Sequence, residues 1–487
     1  MNNRYFSAKK ALWTFFGVYF FIWGFLPGVF FNSIFPDTAQ NLSWGNIFSW
    51  GTDRHPPLGD WVVTFFNVIF HNNEMSAYFA GALCLLAMLF FTYKTARLYL
   101  SEEIAVAATL VSTLSYYCVA NYVMQYDQGT IMLPFWSATI YFFIKAYRDN
   151  KRRDWIFLSL ASVLAMLAKY ESGIIIFLEC AYLAIFFKKK YLRNVLLATT
   201  LFFILLIPHI IWLVKTHFLL LQFPIQRGYQ DAHVSFFEAH VWYAVSSLFG
   251  QPANLLLCFF LIAVCLKLKW LSLRHLNKNK SMMHPLVYFG VMPLLLVCVI
   301  SCISGANIFA EWGSPFFLLT CVSVFYFFDI GVNKIKPIFY VTGLLQFFIA
   351  ILYFAVNYFS TDISRMNYPG LVLAKAVEHY WKEDGYPIEN PKFIGGAEYP
   401  SYYLAAYYPS RPALLVNNSL YYSPWIEQSA FLKSKGIIIY AGCDKTVRSA
   451  LRDKFSILEH TCVCVPAANK FKKINVFYTV YIVQPHL

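Results

Sequence analysis

Long apolar runs recur along the first three quarters of the chain, each near the roughly 20 residues that carry a helix across a bilayer. The pattern predicts about eleven crossing segments, at 11–31, 77–96, 103–120, 130–147, 155–168, 172–187, 195–214, 241–266, 284–303, 313–329 and 337–358. The fifth and sixth are short and parted only by Lys169, Tyr170 and Glu171, so a tilted or broken pair is expected. The first run starts behind Arg4, Lys9 and Lys10, as a signal peptide would. It continues past Phe31 without a small-residue cleavage site and reads as a retained signal-anchor helix.

From about residue 359 the pattern changes. Apolar runs shorten and charges return. Short β-like runs (Lys392–Ile394, Ala413–Val416, Gly436–Tyr440, Phe455–Val465 and Val476–Val483) alternate with helix-like stretches. The expected architecture is an all-α polytopic membrane domain over 1–358, followed by a small α/β domain over 359–487.

Charge sets the expected orientation. One set of loops holds most of the Lys and Arg, including Lys94, Arg97, Arg148, Lys188–Lys190, Arg193, Lys267, Lys269 and Lys334. The opposite set holds Arg54, Lys169, Lys215 and Arg227. The basic set is therefore expected in the cytoplasm, with the N-terminus inside and the C-terminal domain in the periplasm of a bacterial inner membrane. The net charge of +14 raises the question of nucleic acid. Its placement in short loops between apolar runs answers it, and no nucleic-acid partner is expected. Only 13% of residues are charged, against about 25% in soluble domains, which fits membrane lipids as the surrounding medium.

Eight of the eleven cysteines lie in or beside apolar runs, where they read as small core residues. Cys443, Cys462 and Cys464 lie in the tail, and one disulfide from Cys443 is possible in an oxidising compartment. Cys462 and Cys464 alternate along a strand-like run, so only one of them would face Cys443.

The outer loops carry the candidate chemistry. Residues 32–76 form a long loop with two Trp-containing amphipathic stretches, 38–50 and 58–70, suited to the membrane interface. Asp37 lies just after the first run. Partial desolvation there favours a carboxylate that takes a proton from an acceptor hydroxyl, while capping of the following helix is the bland alternative. Arg54 and His55 precede Pro56 and Pro57, which stiffen the backbone that aims them. A guanidinium and an imidazole at headgroup level suit a lipid phosphate, and ordinary interfacial anchoring is the alternative. Asp127 sits in the short loop 121–128 among Tyr122, Gln125, Tyr126 and Gln128. It is a site candidate or the cap of the next helix. Lys169 and Glu171 either face a cavity or simply pair with each other. Arg227, in the loop 215–240, and Glu311, at the start of the tenth run, are further cavity candidates.

Taken in order, these features resemble the family 39 glycosyltransferases, membrane relatives of protein O-mannosyltransferases and of lipid A aminoarabinose transferase. The acid after the first run, the His-Pro-Pro-Leu at 55–58, the segment Gln125–Trp136 and the turn Leu164–Tyr170 carry the resemblance. So do Tyr368–Pro369–Gly370 and the Tyr-Tyr-Pro-Ser-Arg-Pro at 407–412. The resemblance implies the GT-C fold, with juxtamembrane helices and a cavity at the outer face. It implies that Asp37 is the catalytic base, that Asp127 orients the acceptor or reacting centre, and that no cofactor or nucleotide-sugar metal is needed. His55 stands where aminoarabinose transferases have a lysine that meets the carrier phosphate, and Arg54 would supply the permanent charge instead. The implied reaction moves a sugar from undecaprenyl (polyprenyl) phosphate to a lipid or envelope-glycan acceptor such as lipid A. A secreted protein's hydroxyl is the alternative acceptor. A lipid-linked sugar transporter is the alternative class, and the clustering of polar residues at one face argues against it.

Overall fold

In the computed structural model, residues 7–228, 234–274, 281–360, 367–383, 389–444, 449–467 and 474–486 are described. Each run expected to cross folds as helix. Among the described residues, six helical segments are both long and apolar enough to span a bilayer: Ala8–Phe30, Asn73–Ala96, Lys189–Lys215, Glu238–Lys267, Pro285–Ser304 and Ile335–Phe359. The other expected runs fold as shorter or less apolar pieces, among them Glu102–Ser112, Gly173–Ile185 and Thr320–Phe327. The count of eleven crossings is thus not confirmed: among the described residues, six segments meet length and apolarity together. The chain is a mainly helical, multi-pass membrane protein. Its helices turn apolar side chains outward, Phe203, Leu344 and Phe348 among them, as contact with lipid requires.

Polar side chains tie helices together inside the apolar bundle. Trp23 Nε1 donates to Gln346 Oε1 at 3.0 Å, and Gln346 Nε2 donates to the Thr113 carbonyl at 2.5 Å. Three helical pieces are linked where no water competes.

The basic loops meet at one end. Strands β1 (Leu271–Leu273) and β2 (Ile330–Val332) pair antiparallel and join two of them. Arg148 donates to the Leu98 carbonyl at 3.2 Å, and Asn150 Nδ2 to the Lys190 carbonyl at 2.9 Å. Loops distant in sequence but alike in charge therefore share a face.

At the other end the long loop folds into two helices, Pro36–Gly45 and Leu58–Phe70. Pro36 opens the first at N1, where a missing N–H costs nothing. Gly45 lets the two helices cross closely, since a Cβ there would strike Thr64 and the Asp60 carbonyl. Only one of them keeps an apolar face open. Leu58–Phe70 exposes Phe65, Val68 and Ile69, whereas Pro36–Gly45 is buried at nearly every position. The tail covers it.

Every β-like run expected in the tail is a strand: β3 (Phe393–Gly396), β4 (Ala413–Leu415), β5 (Gly436–Ala441), β6 (Phe455–Pro466) and β7 (Asn475–Pro485). The sheet order is β4-β3-β5-β7-β6, parallel from β4 to β5 and antiparallel from β5 to β6. Cys443 is bonded to Cys462, and Cys464 is free and exposed. The tail docks on the loop helices through the tyrosine- and arginine-bearing segments singled out in the sequence. Tyr403 OH donates to the Ile34 carbonyl at 2.6 Å, and Tyr407 OH donates to Glu74 Oε1 at 2.6 Å. Arg411 donates to Asn67 and, at 3.1 Å, to Asn73, whose own amide reaches the Ala406 carbonyl at 3.1 Å. Tyr368 stacks on Tyr403 with ring centres 4.1 Å apart.

Candidate active site

A cavity of about 590 Å³ opens at the end opposite the basic loops. Asp37, Arg54, His55, Asp127, Lys169, Glu171 and Arg227 all line it. Glu311 lies in the 3-10 helix Ala310–Phe317 beside it, with its side chain outside the described residues. Of the loop 215–240, Tyr229, Asp231 and His233 also fall outside them.

One wall is acidic. Asp37 lies in the first turn of Pro36–Gly45, with Phe35 and not Asp37 at the N-cap. Gln125 Nε2 donates to Asp37 Oδ2 at 2.9 Å and to Asp127 Oδ2 at 3.1 Å. A single amide therefore bridges two carboxylates that would otherwise repel. Asp127 does two things at once. It caps the helix Gln128–Asp149, its Oδ1 accepting from Thr130 N at 2.7 Å, and it faces the cavity. The loop is held from behind. Thr38 Oγ1 donates to the Tyr126 carbonyl at 2.8 Å, and Tyr126 OH donates to the Gly59 carbonyl at 2.8 Å. Ala120, just before this loop, sits at φ 53, a left-handed conformation uncommon for a residue with a Cβ.

The other wall is cationic. Thr52 builds the turn that aims Arg54 and His55. Its Oγ1 accepts from the N–H of Arg54 at 3.3 Å and of His55 at 3.0 Å, and its own N–H donates to the His55 carbonyl at 3.0 Å. Pro56 and Pro57 follow and fix the exit. Arg54 lies over Phe223, 4.9 Å from the ring centre, and its Nε meets Asp53 Oδ2 at 3.3 Å. Its Nη2 pairs with Glu398 of the tail. Lys169 Nζ pairs with Glu171 Oε2 at 2.6 Å and lies over Trp312. Arg227 lies over Phe309, 5.4 Å from the ring centre, and no carboxylate pairs with it among the described residues.

This crowding of positive charge shapes His55. Burial, and then the charges of Arg54, Lys169 and Arg227, push its pKa down from 6.5 to about 3. A neutral imidazole gives a hydrogen bond and no charge, so permanent charge at this wall falls to the arginines and the lysine. Burial pushes Asp53 up to about 7, against the pull of Arg54. Burial likewise raises Glu171, against the pull of Lys169.

Some groups at or behind the lining had no distinct signal in the sequence, His209 behind Tyr170 and three residues of the tail among them. Tyr170 OH meets His209 Nε2 at 2.6 Å, and His209 Nδ1 meets the Trp50 carbonyl at 2.6 Å. A carbonyl only accepts, so Nδ1 carries a proton. With no acid on either ring nitrogen, Tyr170 donates to Nε2 and turns its lone pairs toward the cavity. The tail supplies Glu398, Tyr399 and Tyr402 to the lining. Nothing local in the tail marks these three, because a chain contact across more than 300 positions leaves no periodicity to read.

Among the described residues no three His, Cys, Asp or Glu gather as a metal site. A family profile described as dolichyl-phosphate-mannose-protein mannosyltransferase matches residues 54–212. No curated protein sequence matches the chain. Two solved structures share its fold across 98% of both chains at 12% identity. They are ArnT from Cupriavidus metallidurans bound to undecaprenyl phosphate, with a TM-score of 0.58, and the same protein in the apo state, with 0.61. The resemblance read from the sequence therefore holds at the level of fold: the chain has the GT-C glycosyltransferase architecture.

Proposed function

We propose that this GT-C chain is an inverting glycosyltransferase. It takes a sugar from a polyprenyl phosphate, undecaprenyl phosphate in a bacterial inner membrane, and gives it to a lipid or envelope-glycan acceptor such as lipid A. The cavity then faces the periplasm, and the basic loops face the cytoplasm. The observation that carries the reading is the pairing of one acidic and one cationic wall in a single cavity.

The chemistry follows from the two walls. Arg54 and Arg227 hold the donor phosphate, with His55 giving an uncharged N–H. Asp37 takes the proton of the acceptor hydroxyl as its oxygen attacks the anomeric carbon. The bond from that carbon to the phosphate oxygen breaks, and its electron pair leaves with the carrier. The cationic wall meets the charge that grows there. Gln125 and Asp127 hold Asp37 in place. Lys169 and Glu171, paired, shape the floor.

A protein hydroxyl as acceptor is the second reading, favoured by the profile match over 54–212. That segment contains Arg54, His55 and Lys169 of the cationic wall but not Asp37, and so speaks to the carrier more than to the acceptor. One experiment separates the readings. The full chain in nanodiscs is given undecaprenyl-phosphate sugars with either extracted lipid A or a Ser/Thr-rich peptide, and products are weighed by mass spectrometry. One added sugar on lipid A supports the first reading. Sugar on the peptide alone moves the acceptor to protein, and no transfer from any polyprenyl-linked sugar defeats both.

A further inference from the structure

Arg54 is engaged by two acids, and they differ in kind. Asp53 is its chain neighbour, only 5% exposed, and is fixed by the Thr52 turn. Glu398 comes from a segment 344 residues away, its side chain is 52% exposed, and it starts the helix Glu398–Tyr407. The same helix brings Tyr402 to 6.0 Å from the guanidinium. One partner is built in. The other reaches in from solvent and is able to swing away.

The chemistry of the reaction gives such a group a task. The donor is a phosphodiester with one negative charge. Once the anomeric C–O bond has broken and the acceptor's proton has passed to the base, the carrier is a phosphate monoester with about −1.5 to −2 charge near neutral pH. A cationic wall that holds the donor holds the spent carrier more tightly still. Release then slows, because tighter complexes differ mostly in how fast they come apart.

We propose that Glu398 is a displaceable counter-ion of the phosphate site. It occupies Arg54 in the empty enzyme, yields it to the donor phosphate, and returns to speed departure of the spent carrier. The inference rests on Arg54 as a phosphate ligand. It adds that the tail takes part in the catalytic cycle through one carboxylate.

The test measures binding and dissociation of undecaprenyl phosphate on the full chain in nanodiscs, with neutral undecaprenol as the control. Glu398→Gln keeps the shape and removes the charge. It is expected to bind undecaprenyl phosphate about three- to tenfold tighter, with slower dissociation and unchanged undecaprenol binding. Glu398→Asp restores wild-type behaviour, and the gain disappears in an Arg54→Gln background. If Arg54→Gln weakens phosphate binding but Glu398→Gln leaves affinity and dissociation as they were, or weakens them, the Glu398 proposal fails alone. If Arg54→Gln leaves phosphate binding unchanged, the phosphate reading fails and takes the role of Glu398 with it.

Discussion

The two walls of the cavity are built by opposite rules. The acidic wall is held by groups that stay put: a proline at N1, a helix cap and one amide shared by Asp37 and Asp127. The cationic wall is held by aromatic faces and by acids that compete with any incoming anion. The difference divides the labour. A base must be in position before the substrate arrives, because small misplacements are costly in rate. A phosphate site of the kind proposed must be neutralised when empty and cationic when filled, and exchangeable partners would serve that.

The largest effect should come from breaking the acidic wall at its tip. Asp37→Asn should cut transfer about 10²- to 10⁴-fold while undecaprenyl-phosphate binding stays near wild type. Equal losses in both would show that Asp37 belongs to the binding wall instead. Next is the cationic wall. Arg54→Gln should raise the donor KM by about ten- to a hundredfold, in line with a lost charge-assisted hydrogen bond, with kcat less affected. A purely kcat defect would undo the division between the walls.

Gln125→Leu sharpens the comparison from the other side. Without the bridging amide two carboxylates face each other unshielded, and transfer should drop about tenfold at unchanged donor affinity. The smallest effect concerns pH. Asp53 is raised in the folded state from 3.8 to about 7. Between those values the folded chain keeps a proton that the unfolded chain has lost, so this residue makes stability fall as pH rises through that window. Thermal unfolding at pH 5 and pH 8 should show Asp53→Asn less sensitive to the rise than wild type. An identical pH dependence in both would mean that Asp53 stays ionised beside Arg54.

The acidic wall is also the legible one. Asp37 and Asp127 announce themselves because each stands at the edge of an apolar run, where a carboxylate has few reasons to be. Arg54 and His55 are marked by the two prolines behind them. The strands of the tail are legible from short alternating runs. Other features depend on contacts that composition and periodicity do not encode. Glu398 looks like any acid in a first helical turn, where the helix dipole alone accounts for it. His209 looks like one polar residue in an apolar helix until Tyr170 and the Trp50 carbonyl are seen on its two nitrogens. The burial of Pro36–Gly45 is hidden for the same reason. Its pattern fits a membrane surface as well as a protein one, and only the arrival of the tail decides.

That helix also sets a schedule for biosynthesis. Asp37 leaves the ribosome well before the surface that covers its helix, because Tyr403, bonded to the Ile34 carbonyl, lies 369 positions further along the chain than Ile34. Under the proposed function, a nascent chain stalled before that point holds the proposed base and phosphate-binding turn without the tail side of the pocket. On the proposed function, a tail added late is a completion signal: a chain cut short before it would leave an open half-site, where water would reach the donor and the sugar would be lost to hydrolysis.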